Sequence, residues 1–523
     1  KGKNRGPESS KFISTYNKLI LGFHRLAING LNEESNQPLV FNDIVLICNG
    51  EIYNYKELYK SMNIEPKTGS DCEVIIHLYV KYGIEQTLRM LDGVFSFVLY
   101  DNRSHLENKK LYIARDPFGV RPLYILSYDN IYGFSSELKC LSELYDKSII
   151  NQFEPGTYSV FTIDEKQWGP IFCNVKYFIP TCSYYISSYK TIYENIVLYL
   201  TNAVYKRCLA TERPIACLLS GGLDSSLITS LVNNFYKLNG FNYKLETYSI
   251  GLYGSEDLKN ARIVADYLQT DHHEIIVTED EMFDIIPEVI YAIESYDTTT
   301  VRASIGNYLL GKYIKEHSKA KVIFNGDGAD ELLGGYLYMN KCPDDIEFDK
   351  ETRRLLNDIY LFDVLRSDKC ISSNGLEPRT PFLDKTFVNY VLSIPSFFRN
   401  HKNAQQIEKF ILRNSFTHTN FTNYQNKQLL PDEILWRKKE AFSDGVSGKG
   451  LSLYEILQNK ISKILTTSDK YYPNTIETEK FYYKSIFDCK FNLKFNNCSI
   501  PYFWMPKYTN ATDPSARTLV FYE

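Results

Sequence analysis

The tightest constraint on this chain is a glycine-rich turn, Ser220-Gly-Gly-Leu-Asp-Ser-Ser226, set between a buried strand and a helix. Ile215 to Leu219 is an apolar run of strand length. After the turn, Leu227, Ile228, Leu231, Val232 and Phe235 recur at helical spacing. Gly221 and Gly222 permit a tight turn whose amides point inward. Ser220, Ser225 and Ser226 add hydroxyl donors, and the helix start adds its dipole and free N–H groups. Together these make an anion site sized for phosphate or pyrophosphate. Asp224 would repel such an anion unless Mg²⁺ bridged the two. A tight turn with Asp near a helix start is common in α/β proteins. The whole string in a strand–turn–helix setting carries the chemical meaning.

The surroundings repeat that setting. Leu245 to Ile250, Glu274 to Val277 and Val322 to Phe324 read as strands. Asp257 to Leu268, Met282 to Tyr296 and Ile305 to Lys315 read as helices. The alternation predicts an α/β domain with a parallel, doubly wound sheet, whose ligands bind at the carboxyl ends of the strands. A second turn, Asn325-Gly-Asp-Gly-Ala-Asp-Glu331, falls at such an end and forms an opposing wall. Its glycines let backbone approach a nucleotide, and Asp327 and Asp330 can serve a metal or act as a base. From Asp349 onward the pattern is mostly helical, and Phe416 to Gln428 reads as a surface loop. No GxxxxGK[ST] string occurs, which argues against γ-phosphoryl transfer with a P-loop lysine.

The first third has a different rhythm. Asp43 to Cys48, Val94 to Tyr100, Lys110 to Ala114 and Pro122 to Leu126 are strand-length and rich in β-formers. Asp116-Pro-Phe-Gly119 reads as a turn. Asp71 to Tyr82, with Val74, Ile75, Leu78 and Tyr79 on one face, and a segment near Glu85 to Leu91 read as helices. Strands in runs with grouped helices predict an α+β layered domain.

With 523 residues, two to four domains are expected at roughly 150 residues each. The formal net charge of −4 gives no reason to expect a nucleic-acid or membrane partner, and no apolar run approaches membrane-spanning length. The eleven cysteines include no CxxC pair and predict reduced core thiols in an intracellular protein. His272 and His273 have no metal-ligand spacing around them.

The first turn resembles the pyrophosphate loop of N-type ATP pyrophosphatases, which cleave ATP between the α- and β-phosphates. The two turns together resemble the synthetase domain of asparagine synthetases of the eukaryotic and enterobacterial type. Further strings in order extend the likeness over nearly the whole chain: Phe23-His-Arg-Leu26, Asn49-Gly-Glu-Ile-Tyr-Asn54, Gly69-Ser-Asp-Cys-Glu73, Leu91-Asp-Gly-Val-Phe95, Arg115-Asp-Pro-Phe-Gly119, Asp297-Thr-Thr-Thr-Val-Arg302, Pro381-Phe-Leu-Asp384, Trp436-Arg-Lys-Lys-Glu440, Phe442-Ser-Asp-Gly445 and Ala511-Thr-Asp-Pro-Ser515.

The resemblance implies an N-terminal-nucleophile αββα glutaminase over residues 1–165 and a synthetase domain with a helical C-terminal part over 178–523. Glutamine, aspartate and ATP are the implied small molecules, with Mg²⁺ as cofactor, a cytoplasmic location and a homodimer as the expected assembly. In the first domain, Arg25 resembles the grip on the glutamine α-carboxylate and Asp71 the partner of its α-ammonium. Asn49 and Gly50 resemble an oxyanion hole, and Glu51 borders the same pocket. Outside the family context, Arg25 and Asp71 read as an ordinary surface pair. In the second domain, Leu219 and Ile250 resemble backbone contacts to adenine, joined by Asn325 and Gly326. Ser220, Gly221, Gly222, Asp224 and Ser225 would hold pyrophosphate, with Asp224 and Asp330 on the metal and Asp327 as a catalytic carboxylate. Lys439 resembles a lysine that neutralises phosphates during adenylation. Thr299, Arg302 and Asp384 read equally as contacts near aspartate and pyrophosphate or as structural support.

Two departures stand out. The family's glutaminase nucleophile is a Cys at the mature N-terminus, whereas this sequence opens at Lys1, so a processed Cys is expected in a segment ahead of it. Cys48 and Cys72 have no free α-amine and cannot replace it. The opposing wall reads NGDGADE where SGEGSDE is frequent, which shortens the carboxylate at Asp327 by one methylene. The alternatives to glutamine-dependent asparagine synthesis are synthesis from free ammonia alone, amidation of another carboxylic acid, and a non-catalytic nucleotide-binding protein.

Overall fold

The computed structural model describes residues 1–15, 19–103, 109–145, 148–164, 167–180, 188–440, 445–447, 451–467, 470–491 and 500–515. Of the strings named above, Phe442 to Asp444 lie outside these residues.

The first domain opens with a hairpin, β1 (Ser9–Thr15) and β2 (Leu19–Arg25). β3 (Leu39–Phe41) and β4 (Ile44–Ile52) follow, then α1 (Tyr55–Met62) and α2 (Val74–Met90). Gly83, at φ +76°, breaks α2, so the two helical patterns read from the sequence are two segments of one run. Then come β5 (Gly93–Asp101), β6 (Lys110–Arg115), β7 (Tyr124–Tyr128), β8 (Ile131–Ser135), β9 (Ile149–Gln152), β10 (Thr157–Asp164) and β11 (Gln167–Lys176). A six-stranded antiparallel sheet has the order β11-β10-β6-β5-β4-β3, and β8-β7-β9 form a smaller one. β11 pairs as far as Lys176, so this sheet continues past residue 165.

The second domain is built on α3 (Tyr189–Leu209), β12 (Ile215–Leu218), α4 (Leu223–Leu238), β13 (Glu246–Leu252), α5 (Glu256–Leu268), β14 (Asp271–Val277), α6 (Glu279–Asp284), α7 (Ile286–Ile293), α8 (Thr298–His317), β15 (Val322–Phe324), α9 (Ala329–Leu333), α10 (Asp345–Asp358), α11 (Asp363–Ser372), β16 (Glu377–Arg379) and α12 (Lys385–Ser393). Its five strands are all parallel, in the order β14-β13-β12-β15-β16. The order reverses at β12. Loops at the carboxyl ends of β12, β13 and β15 therefore diverge from a crevice, the place where such sheets bind ligands.

The single helix expected over Met282 to Tyr296 is two helices. Pro287 sits in the first turn of α7, where its missing N–H costs no hydrogen bond. α8 starts earlier than its apolar spacing suggests. The Asp297 carboxylate caps it by accepting from the Thr300 N–H at 2.9 Å, which brings Thr299 and Thr300 into the helix.

The domains share their cores. Ile28, Tyr53, Val94, Phe118 and Val120 of the first pack into one apolar cluster with residues of α3, α4 and α12. Tyr124, Leu126 and Ile150 of the small sheet pack with α7, α8 and α11 residues in another. Burial of this kind, at about 25 cal/mol per Å² of apolar surface, makes the two domains one packed unit. Among the described residues, no helix is long and apolar enough to cross a membrane.

Candidate active sites

The first site is the crevice at β12. The Leu219 N–H donates to the Tyr248 carbonyl at 2.8 Å, which fixes the strand end from which the turn departs. Gly221 has φ +71°, and a Cβ there would lie 2.4 Å from the backbone nitrogen of Ala261. Its face is turned to α5 rather than to the crevice, so its part is the turn itself. Gly222 precedes the first residue of α4 and leaves first-turn N–H groups directed outward. The Ser220 and Ser225 hydroxyls are 3.1 Å apart, and the Ser225 hydroxyl also lies 3.3 Å from the Gly222 carbonyl.

The second turn lies against the first. A Cβ on Gly326 would sit 2.7 Å from the Ser225 nitrogen, so only glycine allows the two turns this close. Leu219, Ser220, Gly222, Asp224, Ser225, Ile250, Asn325, Gly326, Asp327, Asp330, Thr299 and Lys439 line one cavity. Asn325 is fixed by its amide donating to Ser367 Oγ at 2.6 Å. Asp327 lies 3.8 Å from Arg366; burial raises its pKa and the guanidinium opposes the rise.

Charge in this cavity centres on Asp330. Its carboxylate meets Lys439 Nζ at 2.6 Å and Lys409 Nζ at 2.5 Å, and Lys409 also reaches Asp224 at 2.5 Å. Burial works against ionisation of Asp330, but Lys409 and Lys439 hold it well below the usual carboxylate range. Burial likewise opposes the charge on Lys439, and Asp330 and Asp224 hold its ammonium above the ordinary lysine value. Asp224 Oδ1 and Thr299 Oγ1 are buried and have no hydrogen-bond partner. Orphaned atoms in a polar cavity are open to a hydrogen bond or a cation from a ligand or from water. No group of three or more His, Cys, Asp or Glu side chains suited to a metal occurs among the described residues. A cation here would take protein oxygens from Asp224 and Asp330 and complete its shell from phosphate and water, the usual arrangement for Mg²⁺.

Two expected members of this site lie elsewhere. Arg302 is buried outside the cavity lining, held by Glu479 at 2.8 and 2.5 Å and by Asp513 at 2.8 Å through two nitrogens. The two are one turn apart on α8, Thr299 and Arg302, but the long Arg302 side chain is drawn to the C-terminal carboxylates while Thr299 lines the cavity. Asp384 is also buried, in the seam between domains. It pairs with Arg207 at 2.8 Å and with Lys206, and accepts from the Thr386 and Phe387 N–H groups as the cap of α12. Both are structural ion pairs, not cavity residues.

Lys409, Arg437 and Asp257 also line this cavity, and of these only Arg437 belongs to a string named above. Lys409 follows Glu408 directly in the chain, and no string named above includes either. Arg437 meets Asp257 at 3.1 Å and so ties the Lys439 segment to the start of α5. Burial raises the Asp257 carboxyl to about 7, against the lowering effect of Arg437.

The second site is in the first domain, and Arg25, Asn49, Gly50, Glu51 and Asp71 line it together. Arg25 and Asp71 are both buried, unlike the ordinary surface pair that they read as outside the family context. The Arg25 guanidinium donates to the carbonyls of Asn29, Gly30 and Asn32 and to Asn36 Oδ1, which fixes the 29–36 loop around the cavity. Asp71 accepts from the Ile52 N–H at 2.6 Å. Burial raises its carboxyl to about 6, because the Ile52 hydrogen bond only partly offsets the loss of water and Glu377 adds like charge. Asn49 donates to Ser136 Oγ at 2.9 Å. Gly50 lies so close to β5 that a Cβ would be 2.2 Å from the Val94 carbonyl oxygen. Glu51 accepts from Asn29 at 2.7 Å and lies 3.5 Å from Arg379 of the second domain. Cys48 and Cys72 are buried thiols lining this cavity.

α11 connects the sites. Asp363 and Arg366 face the first cavity, Ser372 faces the second, and Asp368 between them binds Arg5 and Arg121 of the first domain.

One cavity lies in the module with the antiparallel sheet and the other in the module with the parallel sheet. The model of the glutamine amidotransferase domain matches residues 1–195, and that of asparagine synthase matches 197–347 and 340–494. The glutamine-hydrolysing asparagine synthetase of Gallus gallus is 41% identical over 555 residues, covering 99% of this chain and 95% of that protein. Those of Homo sapiens and Mus musculus are each 40% identical over 550 residues, with the same coverage. The chain belongs to the glutamine-hydrolysing asparagine synthetases, which are ATP-dependent ligases.

Proposed function

We propose that the crevice at β12 binds ATP with Mg²⁺ beside aspartate, and that the cavity in the first domain binds glutamine. The sheets are then read as a doubly wound nucleotide-binding core and one half of an N-terminal-nucleophile sandwich. The observation that carries the reading is the pair of partnerless buried oxygens, Asp224 Oδ1 and Thr299 Oγ1, in the cavity that also presents Lys439.

The chemistry follows from a difficulty. A carboxylate cannot be amidated directly, because oxide is a poor leaving group. A β-carboxylate oxygen of aspartate therefore attacks the α-phosphorus of ATP, forming a carboxyl–phosphate bond as the bond to pyrophosphate breaks. Serine hydroxyls and the N–H groups at the start of α4 orient the phosphates. Lys439 offsets the charge that builds on the departing pyrophosphate, and Asp330 holds the lysine in place. Mg²⁺, held by Asp224 and Asp330, would shield the same charge. Ammonia then attacks the activated carbonyl and AMP leaves with its bonding pair. Asp327 lies in the cavity to take the proton that the attacking nitrogen sheds.

Glutamine supplies that ammonia from the other cavity. Asp71 pairs with its α-ammonium, Arg25 faces its α-carboxylate, and Asn49 with the Gly50 N–H stabilises the tetrahedral oxyanion. Asp71→Asn is expected to raise the glutamine KM at least tenfold and to leave the ammonia-supported rate within twofold, measured by asparagine formation with each nitrogen source.

A pH effect follows from the same group. The Asp71 carboxyl is raised to about 6 by burial, so it becomes neutral as pH falls through 6 and can no longer pair with ammonium. kcat/KM for glutamine is expected to fall below about pH 6, and a flat profile between pH 5 and 7 counts against the assignment.

The acceptor is tested with free ammonia, ATP and Mg²⁺ against a panel of carboxylic acids. Release of AMP and pyrophosphate with aspartate is expected. Release only with another acid overturns the reading.

A further inference from the structure

Lys409 is a charged side chain that no step above uses, and its placement is unusual. It is buried to within 2% of full occlusion. Its backbone has φ +58°, in the left-handed region that a lysine rarely adopts, just ahead of the helix Phe410–Ser415. The side chain passes over Gly335, where a Cβ would lie 2.0 Å from Lys409 Cε and 2.1 Å from Asp330 Oδ1. Only glycine at 335 leaves room for it. The ammonium ends 2.5 Å from Asp224 and 2.5 Å from Asp330, the two carboxylates assigned to the metal.

Two carboxylates that share one ammonium and are largely withdrawn from water repel each other unless a cation lies between them. Lys409 supplies that cation without any ligand, and with Lys439 it brings the four-group cluster to neutrality. A divalent ion entering the same gap meets an ammonium already in place and gains little from carboxylates already paired. Pyrophosphate oxygens change the balance, because they offer both lysines new anionic partners and release carboxylate oxygens to the metal.

We propose that Lys409 is a positioning residue that stands in for the divalent cation, holding Asp224 and Asp330 together and keeping metal out until a phosphate chain arrives. The ordering makes metal and nucleotide bind as one unit. This rests on the assignment of ATP to the β12 crevice, but it concerns metal binding to the enzyme before any turnover.

The test is Mn²⁺ retained by the full-length chain in ultrafiltration, with and without inorganic pyrophosphate. Wild type is expected to retain Mn²⁺ at least tenfold more tightly when pyrophosphate is present. Without pyrophosphate, Lys409→Met is expected to bind Mn²⁺ at least tenfold more tightly than wild type. Lys409→Arg, which keeps the charge, should resemble wild type, and adding Asp224→Asn to Lys409→Met should remove the gain. Equal Mn²⁺ affinity of wild type and a folded Lys409→Met, judged by circular dichroism, overturns the proposal. So does wild-type affinity that does not respond to pyrophosphate, a result available even if the methionine variant does not fold. Asparagine formation from ammonia by the same wild-type sample separates failure of this proposal from failure of the ATP-site assignment.

Discussion

Lys439→Ala is expected to lower asparagine formation by on the order of 10²–10³-fold with glutamine and with ammonia alike. The lysine lines the crevice at β12, where its ammonium is 2.6 Å from Asp330, and in the proposed reading both nitrogen sources share the adenylation step there. The loss should fall on kcat, because the charge matters most as pyrophosphate departs. The fold should survive, since Lys409 remains to compensate Asp330. Glutaminase turnover, read as glutamate release, should change far less. A variant that lost only the glutamine-dependent rate would place Lys439 in the transfer of ammonia instead.

The second large effect is on stability. Arg302→Ala removes the cation from a buried cluster in which Glu479 and Asp513 face one guanidinium and Gln458 donates to both at 3.0 and 3.1 Å. The variant keeps two buried carboxylates with one neutral donor between them. Breaking a buried pair in this way costs about 3–5 kcal/mol. The melting temperature is expected to fall by roughly 5–10 °C for a domain of this size. Because Glu479 and Asp513 lie in the C-terminal part, the loss loosens the attachment of the helix Ile476–Phe491 to α8. Catalytic constants of the folded fraction should stay within a few-fold. An unchanged melting temperature with a raised aspartate KM would return Arg302 to the substrate cavity.

Arg302 also shows what a sequence conceals. Of the polar pair in its string, Asp297 to Arg302, only Thr299 lines the cavity at β12. A charged residue reads the same whether its side chain meets a ligand or an internal carboxylate, and Asp384 repeats the lesson in the domain seam. The glycine-rich turns were legible because backbone requirements write themselves into residue type. Gly221 needs a positive φ, and Gly326 must let one turn touch another. The strand–helix alternation was legible for a similar reason, since periodicity records burial directly. β16 was not. Glu377-Pro378-Arg379 has neither β-branched residues nor alternation, and a proline there is tolerated because the strand forms the sheet edge. The start of α8 was hidden by its run of three threonines, which only the Asp297 cap resolves. Lys409 was invisible because its partners, Asp224 and Asp330, come from segments far apart in the chain.

The domain seam has the same character. Arg379 is fully buried and binds Glu377 at 2.9 Å, the carbonyls of Arg207 and Ala210, and lies 3.5 Å from Glu51. These contacts join Glu51 of the first-domain cavity to the edge strand β16 of the parallel sheet. Nothing in the spacing of these residues along the chain announces them.

In the proposed mechanism this chain activates aspartate by joining its β-carboxylate to the α-phosphate of ATP. The direct measurement is the position of ¹⁸O after turnover with β-carboxyl-¹⁸O aspartate, ammonia, ATP and Mg²⁺. The prediction is asparagine together with AMP carrying one ¹⁸O from the carboxylate, and unlabelled pyrophosphate. Label in inorganic phosphate beside ADP, or no label in AMP, would contradict it.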